Sequence, residues 1–358
     1  GCKAFKTSIL KPSVLSYHLI TSIHDFAVFL YPKFHFGEEI FMKKNFAVIP
    51  VILTLLVYVL FCPAEALKAS LNGLMLWFYT LLPTLLPFLI LTNIVSSLDL
   101  GSSLTFMIRP FASVLFCLSG NGCYILLMGL LCGFPMGAKL CGDFLRTGRI
   151  SRQEAQFLLP ICNMISPAFL ISYLLTSMLH RTGNLLPFFF FFYAPVFVWG
   201  LFSSHVLYNL KEPVKKSGST EMHRSNTPGF SSAMFDECIM NSFEIITRLG
   251  GYLILFSLLS AIVSDFPIFS ESFRCILLML LEITNGAKVV TTSTLSEAMQ
   301  IFLILTGANL GGFSFLAQTC GMLNDTKLSI GRYIMEKAII SAMTAFLCIL
   351  LIIQHIEA

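Results

Sequence analysis

The chain has 358 residues, of which 56% are hydrophobic and only 12% charged, and its mean hydropathy is +0.81. A soluble globular protein carries about 25% charged residues, so this composition excludes one and describes a polytopic membrane protein whose first partner is the lipid bilayer. The net charge of +4 comes from basic residues spread over short loops between apolar runs. It is a signal of topology, and no nucleic-acid partner is expected.

In chain order, residues 1–41 lack a clean period and read as a non-native upstream extension or a disordered N-terminal one. Met42-Lys43-Lys44-Asn45 then precedes the apolar run Phe46–Phe61, which makes Met42 the expected start and 42–70 the first transmembrane helix. Further apolar segments follow at about 71–98, 104–118, 124–144, 157–179 and 186–210, with Pro83 and Pro87 expected to kink the first of these. The polar stretch 211–232 reads as a flexible linker. Beyond it come segments at about 234–263, 273–290, 298–321 and 333–353. The expected fold is all-α, with about ten transmembrane or re-entrant segments. Lys327, Arg332 and Lys337 fit the positive-inside pattern badly, which points to a re-entrant hairpin among the last segments.

The most unusual stretch is Gly129–Pro167, where Gly129, Gly133 and Gly137 recur every four residues around Pro135 and are followed by Lys139, Asp143 and Asn163. Broken backbone at membrane depth is tolerated only where it is buried in protein or lines a wet cavity. Gly137-Ala138-Lys139 recurs as Gly286-Ala287-Lys288, the stretch 87–98 resembles 251–262, and Asn163 with Ser166-Pro167 is echoed by Asn309 with Gly311-Gly312. Three matches in one order indicate two repeats, 71–210 and 233–358, and the positive-inside assignment makes them inverted. Candidate solute-binding residues are therefore Lys139, Asn163, Ser166, Asn285, Lys288, Asn309 and Gln318. Gly133, Pro135, Gly137, Pro167, Gly286, Gly311 and Gly312 are expected to break or closely pack the helices.

Bland readings compete with these. Lys139 and Asp143 are spaced to pair along one helix face, as are Glu244 and Arg248. Ser151 to Glu154 fits a capping box. The eleven cysteines show no metal-ligand spacing and read as packing residues, so no metal or other cofactor is expected. No HExxH, GxSxG or phosphate-loop sequence occurs, and no enzymatic activity is expected.

The words GLLCGFPMGAKL, SRQEAQ, CNMISP, LEITNGAK and GANLGGFSFLAQ, in this order, resemble the sporulation integral membrane protein family of the YlbJ type over roughly residue 42 to the end. That family is similar in turn to the nucleoside-recognition Gate domains of concentrative nucleoside transporters, ferrous-iron transporters of the FeoB type and spore maturation proteins. Phe134 departs from the Tyr of many relatives, and the pattern after Asn285 varies among them. The resemblance implies two Gate-like repeats and a multi-pass protein in the mother-cell or forespore membrane, needed for the spore cortex or envelope. A small polar or anionic solute, such as dipicolinate, is then the expected cargo. The alternative is a non-transporting scaffold for envelope assembly, working with other sporulation membrane proteins.

Overall fold

The computed structural model describes residues 39–98, 105–106, 108–208, 210, 231–265 and 269–356, with side chains from 49 to 350. Most of the expected extension and nearly all of the expected linker lie outside these residues. Among the described residues the elements are helical: α1 (Glu39–Phe61), α2 (Pro63–Ser97), α3 (Arg109–Phe116), α4 (Gly120–Cys132), α5 (Met136–Arg146), α6 (Arg152–Cys162), α7 (167–178), α8 (Leu186–Leu207), α9 (Ser232–Asp265), α10 (Glu271–Leu281), α11 (Ile283–Thr291), α12 (Glu297–Leu310), α13 (Gly312–Met322) and α14 (Ile330–Ile356).

Six described helical stretches are long and apolar enough to cross a membrane: α2, α6 with α7, α8, α9, α12 with α13, and α14. The other expected segments are shorter. Segment 104–118 contains α3, eight residues that meet α4 at 106°. Segments 124–144 and 273–290 are each two short helices, because the Gly133-Phe134-Pro135 turn and extended Glu282 interrupt them. In α2, a wide π-helical turn at Trp77–Leu81 precedes Pro83, where the proline ring denies the preceding turn a regular ladder.

Helix starts follow capping chemistry. Ser119, Ser151, Ser166, Ser270 and Ser296 each accept a hydrogen bond from a first-turn amide, opening α4, α6, α7, α10 and α12. Glu154 adds a tertiary link, since its carboxylate accepts Ser119 N at 2.7 Å and ties the starts of α4 and α6.

Two ends of the bundle can be followed from contacts. Asn121 Nδ2 donates to Arg149 O at 3.0 Å, so α4 begins where α5 ends and α6 starts. Gln156 exchanges bonds with the backbone of Ser329, and Arg146 donates to the carbonyls of Met322 and Asn324 at 2.7 and 2.9 Å. The end of α13 and the start of α14 therefore lie at the same end, bringing Arg332 and Lys327 beside the Arg146–Arg152 loop. Their poor fit in the sequence arose because α10 and α11 form a pair that returns to its own side. At the other end, Glu271 accepts Thr294 N at 2.9 Å and Arg181 pairs with Glu297. The Thr294 bonds also hold the Glu271 carboxyl below the ordinary carboxylate range.

The broken helix Arg152–Met178 is the most interior, with 67% of its apolar window buried against 11% for Pro63–Ser97. On the outside, large side chains such as Phe61, Tyr79, Phe106, Phe111 and Leu186 stand exposed. In water such an apolar surface would be a liability, and in a bilayer it is the lipid contact.

Candidate functional site at two hairpin tips and two helix breaks

The tip of the α4–α5 hairpin sits on the break between α6 and α7. Gly133 has φ +71°, and a Cβ there would stand 2.5 Å from Ser166 N, so both conformation and space require glycine. Phe134 N donates to Met164 O at 2.6 Å, and a Cβ on Gly137 would lie 2.3 Å from Cys162 O. Pro135 occupies the N-cap position of α5 without a side-chain acceptor. Asn163 supplies one from outside, its Oδ1 accepting Ala138 N at 3.3 Å. The same amide donates to Thr319 Oγ1 at 2.9 Å and Tyr333 OH at 3.1 Å, joining α5, α13 and α14 at one point.

The α10–α11 hairpin is built the same way around a different residue. Fully buried Glu282 is extended (φ −155°, ψ 119°), and its carboxylate accepts Thr284 N at 3.0 Å, Asn285 N at 2.8 Å and the Thr284 hydroxyl. A negative group at a helix start is favoured by the unpaired amides there. This tip faces the α12–α13 break: Gly311 has φ +94°, and a Cβ on Gly312 would stand 3.1 Å from Leu280 O. Gly286 packs on the Met279 backbone of α10. The halves then touch crosswise. Phe134 stacks on Phe315 of α13 at 3.9 Å and 7°, and Tyr173 of α7 donates to Thr284 O at 3.0 Å.

At and beyond the second break three polar groups lack partners among the described residues: Asn309 Oδ1, Gln318 Oε1 and the Lys337 ammonium. Lys337 of α14 is 2% exposed, and its Cε lies 3.8 Å from where a Gly311 Cβ would be. Among the described residues its ammonium makes no hydrogen bond or ion pair. Gln318 donates to Ser314 Oγ at 3.0 Å, while its buried Oε1 has no partner. Leaving such groups unpaired costs on the order of 1–3 kcal/mol each, and more for a charge. The adjacent Glu336 points elsewhere, accepting from Trp199 Nε1 at 3.0 Å and from Tyr208 OH.

The remaining residues singled out in the sequence are dispersed. Lys139 donates to Asp143 at 2.8 Å and to Asn93 Oδ1 at 3.2 Å, and Arg146 holds the other Asp143 oxygen at 2.9 Å. Glu244 and Arg248 form an exposed pair. Asn309 donates to Phe192 O at 2.9 Å and Thr344 Oγ1 at 2.8 Å, linking α12 to α8 and α14. Pro167 opens α7 behind the Ser166 cap. Asn285 and Lys288 line a cavity away from Lys139. Lys337 was read in the sequence only as a topology marker. The available signal was Glu336-Lys337 inside the last apolar run, since intramembrane charges are functional candidates by default.

The sequence has a known relative. The chain is 24% identical to the sporulation integral membrane protein YlbJ of Bacillus subtilis (strain 168), over 81% of this chain and 78% of that protein. The chain is thus similar to YlbJ over most of its length. No family model and no solved structure matches it. That relative is named an integral membrane protein, and the six long apolar helices of this chain describe a multi-pass membrane protein as well. Among the described residues no cluster of His, Cys, Asp and Glu has the arrangement of a metal site.

Proposed function

We propose that this chain is a YlbJ-type protein and that it translocates a small polar or anionic solute across a membrane of the sporulating cell. The order α2, α4–α5 hairpin, broken α6–α7, α8 recurs as α9, α10–α11 hairpin, broken α12–α13, α14. With hairpins that return to their own side, each half crosses three times. An odd number starts the second half from the opposite face, so the halves are inverted, as in many secondary transporters. Excess Arg and Lys around the Arg146–Arg152 loop and Arg332 assigns that end to the cytoplasm.

The observation that carries the reading is Lys337, a cation buried beside the Gly311 break without a counter-ion among the described residues, while the helices on either side of that break carry unpartnered acceptors on Asn309 and Gln318. An anionic solute would supply the missing counter-charge. A scaffold gains nothing from carrying such groups at membrane depth. Asn163, Ser166 and the two tips would frame the path, with Asn309 beside the second break, while Lys139, Asn285 and Lys288 lie apart from it. Dipicolinate is a candidate cargo because of the relative's role in sporulation.

Uptake into proteoliposomes containing the purified full chain tests this, with dipicolinate, succinate and phosphate as probes. Lys337→Met should abolish uptake while leaving stability equal or higher, because replacing a buried charge by an apolar side chain is often neutral or stabilising. Wild-type rates in Lys337→Met, or no uptake of any probe by the wild type, would refute the proposal.

A further inference from the structure

A cavity of about 210 Å³ opens between α2, α9, α10 and α11, apart from the two breaks. Its polar lining is Asn72, Ser257, Ser260, Ser264, Asn285 and Lys288. Asn285 Nδ2 donates to Ser257 Oγ at 2.9 Å, which fixes the amide against the wall. Ser264 donates to Ser260 O at 2.8 Å. The Ser260 hydroxyl is left over: the residue is 5% exposed and its Oγ has no partner. A buried hydroxyl in a cavity wall is either a defect or half of a binding contact.

The charge in the cavity points the same way. Lys139 and Lys288 occupy the same place in the two Gly-Ala-Lys words, but only Lys139 has an acid four residues on, Asp143 at 2.8 Å. The residue four after Lys288 is Thr292, whose hydroxyl donates to Lys288 O at 3.1 Å and brings no charge. Lys288 is exposed, and its ammonium makes no hydrogen bond or ion pair among the described residues. Acids on the surrounding helices do not answer it. Glu282 caps α11, Asp265 accepts Tyr58 OH at 2.9 Å, Glu271 is taken by Thr294, and Glu65, one turn before Ala69, forms no ion pair with it. Arg274, one turn before Leu278, does not line the cavity, and its Nη2 donates to Phe269 O at 3.3 Å.

We infer that this cavity binds a small oxyanion, a carboxylate or phosphate group, through the Lys288 ammonium and the Ser260 hydroxyl. The volume equals that of about seven waters at ~30 Å³ each, room for a phosphate or a short dicarboxylate. It is below the roughly 300 Å³ at which sites for larger organic ligands begin, so a whole nucleotide is excluded. The oxyanion has two possible sources, a soluble anion or the phosphodiester of a lipid headgroup, and the chemistry at Lys288 is the same for both.

Equilibrium binding tests the site independently of translocation. Purified full-length protein in a neutral detergent is titrated calorimetrically with inorganic phosphate and with succinate. In parallel, phosphatidylglycerol retention is measured by native mass spectrometry from nanodiscs. Lys288→Gln should weaken whichever probe the wild type takes by about tenfold or more, the loss expected for a hydrogen bond to a charged group. Lys288→Arg should stay within about threefold, since the charge is kept. Ser260→Ala should weaken the same probe and leave the unliganded protein no less stable, because it removes an unpaired buried hydroxyl. Lys139→Gln, in the counterpart position, should leave binding unchanged. Wild-type affinity in Lys288→Gln, or no binding of any of the three probes by the wild type, would overturn the inference. Neither result bears on uptake through the Lys337 region.

Discussion

Asn163→Ala tests the junction of hairpin tip and helix break most directly. Asn163 makes three buried hydrogen bonds: from Ala138 N, to Thr319 Oγ1 and to Tyr333 OH. The first substitutes for the cap that Pro135 cannot provide, and loss of an N-cap costs about 1 kcal/mol. The other two are inter-helix side-chain bonds in a membrane protein, where such bonds average about 0.6 kcal/mol each. Together they predict a loss of about 2 kcal/mol, rising to about 3 if the bonds reach the ~1 kcal/mol typical of soluble proteins. The assay is reversible denaturation in mixed micelles followed by far-UV circular dichroism. A cycle with Thr319→Val should give a coupling of at least about 0.5 kcal/mol, as contacting residues do. A change below about 0.5 kcal/mol for Asn163→Ala, or strict additivity with Thr319→Val, would refute the claim that this amide joins α5, α13 and α14.

Two further perturbations probe packing and the buried acid. Gly137→Ala would set a Cβ 2.3 Å from Cys162 O, with backbone on both sides, and should cost about 1–3 kcal/mol as overpacking does. Gly251→Ala, with nothing within 4 Å inside α9, should instead stabilise by up to about 1 kcal/mol, so the pair of midpoints separates a clash from a helix-propensity effect. Glu336→Ala removes the acceptor of Trp199 Nε1 and of one Tyr208 OH bond and should cost about 1–3 kcal/mol for the buried Trp199 donor alone. With only two tryptophans in the chain, and Trp77 Nε1 bonded separately to Ile246 O, a shift in Trp199 emission should accompany the loss.

The membrane class was legible in the amino-acid sequence, because hydrocarbon leaves few solutions: long apolar runs with charge confined between them must become helices. The interruptions were legible too, since Gly133-Pro135 and Gly311-Gly312 carry conformations or lack donors that a continuous helix needs. The spacing of Lys139 and Asp143 brings their side chains together wherever the segment is helical, and the helix here extends through both. Local chemistry reaches no further than a turn or two. Only the tertiary structure decided that segments 124–144 and 273–290 double back, because a break of a few residues specifies a bend and not its direction. It also decided that Asn163 meets Thr319 and Tyr333, 156 and 170 residues away. Lys337 is the clearest case: its position inside an apolar run is visible in the sequence, but the lack of a partner depends on every neighbour that packs around it.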